Sequence, residues 1–92
     1  MNKSQLIESL AQAEDLPLRK AEDIVNTVFE EMEKALIRGE RVEIRGVGSF
    51  KVKQYDGYQG RNPKTGEVIE VTPKKLPFFK VGKELKERVD VY

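Results

Sequence analysis

Residues 53–75 read KQYDGYQGRNPKTGEVIEVTPKK. The centre of this stretch, GRNPKTGE at 60–67, is rich in Gly, Asn and Pro, residues that make tight turns. On its far side Val68, Ile69 and Val71 form a short β-branched run, and on its near side a strand fades through Gln54 to Gln59. The spacing predicts a β-hairpin, with the arm spanning about 53–75. Beyond Tyr55 and Tyr58, however, the hairpin has few large side chains to bury, and an isolated two-stranded hairpin is marginal in water. It is therefore expected to project from the body and stay mobile until something binds it. The turn also carries Arg61 and Lys64, so it reads either as a solvated tip or as a tip built to touch a polyanion.

Upstream of the arm the pattern is helical, then strand-like. Asn2 with Gln5 three positions on makes a capping box, and Leu6, Ile7, Leu10 and Ala11 follow at helical spacing. Leu16-Pro17 ends this helix. Ala21, Ile24, Val25, Val28, Phe29, Met32, Ala35 and Leu36 then form one continuous apolar stripe, closed by Gly39 where a left-handed cap is wanted. Such stripes exist to be buried, and this one is long for a small chain to cover alone. After Gly39 the period changes to two: Val42, Ile44, Phe50 and Val52 alternate with polar residues, and the glycines flanking Val47 mark a bend or tight hairpin.

Downstream, Pro73 and Pro77 bracket Lys74-Lys75-Leu76, which reads as an edge strand or irregular segment. Phe78 and Phe79 supply core anchors. Lys83 to Val91, with Leu85 and Val89 on one face, reads as a short helix packing on the body.

At 92 residues the chain is one domain with little hydrophobic stabilisation to spare. It has no Cys and no His, which removes disulfides, thiolate chemistry, and the commonest metal ligand and acid/base group. No catalytic residue, metal site or cofactor is expected. No segment resembles a signal peptide or membrane span, so a cytoplasmic protein without a membrane partner is the expectation. The net charge of +1 hides an asymmetry. Residues 1–40 hold five Lys/Arg against nine Asp/Glu, whereas residues 41–92 hold twelve against seven. A basic half of this kind suits a polyanionic partner.

Two helices, a three-stranded antiparallel sheet with a long projecting hairpin, a short last helix and the tip GRNPKTGE make an α+β chain. Together they resemble the HU and integration host factor family of bacterial DNA-bending proteins. The residues that carry the resemblance are NKSQLIESLA, RGERVEIRGVGSF, GRNPKTGE and LPFFKVGKELKERV, in one order across the whole chain. Within the family, GERVEIRG and the ending ERVDVY look most like the beta subunit of integration host factor.

The resemblance implies an intertwined dimer, as a homodimer or with an alpha-type chain, whose helical part (1–40) is shared and whose residues 41–92 bind double-stranded DNA in the bacterial nucleoid. It implies that two arms enter the minor groove, with Pro63 inserted between base pairs. Arg61 and Asn62 can hydrogen-bond the acceptors displayed there, and Lys64 can reach a phosphate. Asn62 can alternatively be a turn residue bonding its own backbone, and Gly60 and Gly66 are expected to supply backbone freedom. Lys3, Lys74, Lys75, Lys80, Lys83 and Lys86 are candidates for phosphates flanking the bend. Glu43 and Arg45 match residues that favour particular sequences in integration host factor beta chains; otherwise they form a cross-strand ion pair or one on the same strand face.

The arm stretch 55–59 carries one acid and no base, and Val81 stands where the family commonly has proline. These departures favour a site-selective bender acting on deformable DNA over an HU-like coating protein. The rival from another class is a protein-interaction module adding its arm to a partner sheet, for which Arg61 and Lys64 would be unnecessary. An enzyme is disfavoured, because GRNPKTG lacks the spacing and ending of a phosphate-binding loop and Gly46-Val47-Gly48 lacks a third glycine.

Overall fold

A computed structural model describes residues 1–90. In chain order the elements are α1 (Lys3–Ala13), α2 (Leu18–Ile37), β1 (Val42–Ile44), β2 (Gly48–Tyr55), β3 (Tyr58–Arg61), β4 (Val68–Val71), β5 (Lys74–Val81) and α3 (Lys83–Val89). The last helix thus ends at Val89, and position 91 of the expected helix lies outside the described residues.

The helix ends follow from their residues. The Gln5 backbone N–H donates to the Asn2 side-chain oxygen at 2.9 Å, and the Asn2 N–H donates back to Gln5 Oε1 at 2.9 Å. Two donors that the first turn leaves unpaired are thereby satisfied. At the end of α2, Gly39 takes φ 80°, its N–H reaches the Leu36 carbonyl and the Glu40 N–H reaches the Ala35 carbonyl. This is the Schellman arrangement, which closes off two free carbonyls. Arg38 grips Glu40 across it with two hydrogen bonds of 3.2 and 2.9 Å. That grip holds the Glu40 carboxyl below its ordinary pKa and raises that of Arg38.

The sheet is antiparallel in the order β1-β2-β5, and β3 and β4 form a separate two-stranded ladder. β1 turns into β2 through three residues, 45–47, with the Val47 N–H donating to the Ile44 carbonyl at 3.0 Å. β5 is an edge strand, and its Pro77, opposite Val52, is tolerated because its missing N–H faces no further strand. Pairing along β2 and β5 runs from Gly48↔Val81 to Tyr55↔Lys74. Beyond a break at 56–57 and 72–73, the arm ladder pairs Tyr58↔Val71 through Arg61↔Val68.

Gly48 sits where β2 presses on β5. A methyl group there would collide with the Lys80 carbonyl oxygen and lie 2.8 Å from the Phe79 ring, at a backbone φ of 155°. Gly48→Ala is expected to destabilise the protein by about 1–3 kcal/mol through overpacking. Urea unfolding checks this: the midpoint falls while the slope is unchanged. A midpoint equal to that of the parent would show that β5 can move away.

The apolar stripe of α2 is only partly covered by the chain itself. Ile7, Ala21 and Val25 are buried between α1 and α2, and Leu6, Leu10 and Ala11 pack around them. Val28 is 52% exposed and Phe29 47%. The stripe is thus buried at Ala21 and Val25, half-buried at Met32, Ala35 and Leu36, and exposed at Ile24, Val28 and Phe29, as expected of a stripe too long for one chain to cover. Elongation fits the same picture: the Cα radius of gyration is 19.4 Å, against about 12 Å for a compact chain of this length.

Candidate nucleic-acid interface

In a sheet, alternate residues point to opposite faces and directly paired residues share one. Val42, Phe50 and Phe79 are aligned across the three strands, as are Ile44, Gly48 and Val81, so one face is apolar. Phe50 and Phe79 meet there with ring centroids 4.8 Å apart, in the tilted range that aromatic pairs prefer. The opposite face carries Glu43 and Ser49 with Lys80, Lys51 with Phe78, Lys53 with Leu76, and Tyr55 with Lys74. Arg41 joins this face, its guanidinium 3.5 Å from Ser49 Oγ. The sheet is thus apolar on one side and basic on the other.

The register separates two neighbours that the sequence left together. Lys74 lies on the basic face, whereas Lys75 pairs with Gln54 and lies on the opposite one. Lys80 is on the basic face too, beside a shallow groove lined by Arg41, Glu43, Ile44, Arg45 and Ser49. Arg41, Lys51 and Lys53 were not singled out from the sequence. Their signal was present, because Lys51 and Lys53 alternate in phase with Ser49 and Tyr55.

Glu43 forms an ion pair on its strand face, as one reading expected, but the partner is different. Its carboxylate lies 2.9 Å from the Arg41 guanidinium, two positions before it, and not against Arg45. Spacing of two in either direction satisfies the same geometric rule, so the sequence could not choose. Arg45, in the turn after β1, is exposed and lines the groove with no ion pair among the described residues.

At the arm tip the turn is built by backbone and by Asn62. The Asn62 N–H donates to the Glu67 carbonyl at 2.8 Å, and the Gly66 N–H donates to the Asn62 carbonyl at 2.7 Å. Asn62 Oδ1 accepts from the Lys64 N–H at 2.9 Å, an Asx turn that leaves the side-chain NH2 free to donate. Thr65 Oγ1 accepts from the Glu67 N–H at 3.4 Å. Gly66 has φ 73°, as a turn residue should. Gly60 is an ordinary strand residue whose backbone any residue could adopt, so the expected freedom is needed at Gly66 alone. Pro63 stands exposed at the apex, flanked by exposed Arg61 and Lys64.

The remaining lysines occupy different settings. Lys3 Nζ donates to Asn26 Oδ1 at 2.9 Å, tying α1 to α2. Lys83 and Lys86 lie three positions apart on α3, with Lys83 only loosely opposite Glu87 at 3.9 Å. α3 starts beside the β1-β2 turn, where the Gly82 N–H donates to the Val47 carbonyl at 2.9 Å. Among the described residues no cluster of carboxylates could hold a metal ion, and no helix is long and apolar enough to cross a membrane.

Comparisons with known proteins agree with this geometry. Residues 1–90 match the family model described as bacterial DNA-binding protein. The chain is 50% identical over 93 aligned residues to integration host factor subunit beta of Histophilus somni, covering 100% of this chain and 99% of that one. Among solved structures it is similar to Anabaena HU in a cocrystal with DNA, with a TM-score of 0.86 at 30% identity and full coverage of both chains. A mutant HU from Thermotoga maritima gives a TM-score of 0.72 at 32% identity, over 98% of this chain and 100% of that one.

Proposed function

Because the chain belongs to the HU and integration host factor family of bacterial DNA-binding proteins, we propose that it bends duplex DNA as an architectural protein. The observation that carries this reading is the continuity of one surface: a basic sheet face that leads into an arm ending in an exposed proline. The face supplies cations for phosphates, and the arm reaches beyond the body to a groove. Proteins of this class enter the minor groove and use apolar wedges to unstack base steps. Pro63 is the wedge, with Arg61 and the free Asn62 amide donating to groove acceptors and Lys64 to a phosphate.

On the body, Arg41, Lys51, Lys74 and Lys80 take the phosphates nearest the sheet. Lys83, Lys86 and Lys3 take those flanking the bend. The Arg41–Glu43 pair and free Arg45 form the part of this surface best suited to favour some sequences over others. The working unit is a dimer, of two copies or with an alpha-type chain, in which the uncovered stripe of α2 finds its cover. The bacterial nucleoid is its place of action. The chain is a single domain, with helical residues 1–40 joining the dimer and residues 41–92 holding DNA.

A gel shift and a bending assay on linear duplex test the reading. Retardation is expected, greatest when the bound site lies at the middle of the fragment, where a bend slows migration most; no retardation at low salt would overturn it. The register adds a finer expectation. Lys74→Ala and Lys80→Ala should each reduce the slope of log affinity against log salt by about one unit, the share of one phosphate. Lys75→Ala should leave the slope nearly unchanged, and an equal loss would place DNA around the edge of β5 and not on one face.

A further inference from the structure

Phe78 is out of place by the rules that explain its neighbours. Phe79 packs on Phe50 on the apolar face, whereas Phe78 lies on the basic face; the two residues are similarly exposed, at 40% and 38%. Neither of the two expected core anchors belongs to the buried cluster. The Phe78 ring is instead occupied by a cation: Lys53 Nζ stands 3.5 Å from the ring centroid. Lys53 is directly opposite Leu76, so its side chain leans diagonally along the sheet to reach Phe78. Diagonal neighbours are within range of long side chains, and the ring quadrupole attracts an ammonium at this distance.

A lysine stem ordinarily samples many rotamers, and that freedom is lost when the ammonium binds a phosphate. A ring that already holds the ammonium removes part of that loss beforehand. Unlike a carboxylate, a phenyl ring leaves the positive charge whole and the N–H groups on its far side free. Among the described residues no carboxylate competes: Glu43 is the one acid on this face of the body sheet and is engaged by Arg41. Lys53 is half-buried, sits close to the break between body and arm, and has no ion pair among the described residues.

We propose that Phe78 is a positioning residue that holds Lys53 ready to bind a phosphate where the arm leaves the body. This rests on the duplex-DNA reading above and names a contact within it. The full-length protein tests it through a double-mutant cycle of Phe78→Leu and Lys53→Ala, read as duplex affinity at fixed salt. Phe78→Leu keeps an apolar side chain and removes the quadrupole; it should weaken binding roughly two- to fivefold. In the Lys53→Ala background the same change should have no effect, and Phe78→Tyr should restore parental binding.

In the free protein, the Lys53 ε-methylene protons should resonate upfield under the ring current and return to ordinary positions in Phe78→Leu. Additive losses in the cycle, with the parent binding duplex normally, would overturn this proposal and leave the duplex reading standing. Absence of duplex binding by the parent would overturn both. A larger effect of Phe78→Leu on a single-stranded thymidine oligonucleotide than on duplex would overturn the positioning role and make Phe78 a base-stacking residue.

Discussion

Phe29→Glu is expected to abolish dimer formation, the cooperative thermal transition and duplex binding together. Among the described residues only Ile7, Ala21 and Val25 are buried within one chain. That is little apolar burial to set against the conformational entropy lost on ordering the chain. The missing burial lies along α2, where Phe29 and Val28 stand half-exposed beside Ile24. A partner covering this stripe would complete the core. A glutamate there replaces apolar burial with an unpaired charge in each copy, and burying such a charge costs several kcal/mol. Sedimentation should therefore show a monomer, and heating should show no sharp transition. The parent protein supplies the complementary measurement, because the melting temperature of an obligate dimer rises with protein concentration. A melting temperature independent of concentration, with a dimeric Phe29→Glu variant, would place the interface elsewhere.

The helices, their caps and the change of period at Gly39 were legible because each is written in local spacing. Asn2 and Gln5 are three apart, and a glycine follows the stripe, so the capping box and Schellman turn could be read without tertiary information. Periodicity also identified which residues of α2 are apolar. It could not say what covers them, because a buried stripe looks the same under its own chain or under another.

The candidate site was legible in its tip and less so in its sheet. Turn chemistry picked out Asn62 and Gly66, and the structure uses both. Which lysines share a face depends on register across β2 and β5, a relation between residues some twenty-five positions apart. Adjacent Lys74 and Lys75 are therefore alike in sequence and opposite in space. Lys51 and Lys53, unremarkable in isolation, gain their position from Phe78 and Leu76 across the strand boundary. The same limit applies to Glu43, whose choice of Arg41 over Arg45 reflects the turn at 45–47 that carries Arg45 out of the strand.

Pro63→Ala is expected to separate bending from binding. The turn does not depend on the pyrrolidine ring: its two backbone hydrogen bonds join Asn62 to Glu67 and Asn62 to Gly66, and Asn62 Oδ1 holds the Lys64 N–H. Alanine can adopt the backbone that proline fixes, so the arm should keep its shape and lose only its apolar apex. Phosphate contacts from the basic face remain, and affinity for a flexible site should fall less than about tenfold, or 1.4 kcal/mol. The bend, which depends on opening a base step, should fall by about half or more as read by energy transfer between labelled duplex ends.

The sequence context of the DNA sharpens the test. Stretch 55–59 holds Asp56 and no basic residue, so this part of the arm adds little attraction for phosphates. The parent should then prefer sites with easily unstacked pyrimidine–purine steps, and Pro63→Ala should lose most of that preference. Equal loss of bending and affinity would mean that the proline serves the turn. Loss of neither would mean that no wedge is driven, and that the curvature arises from phosphate neutralisation along the basic sheet face alone.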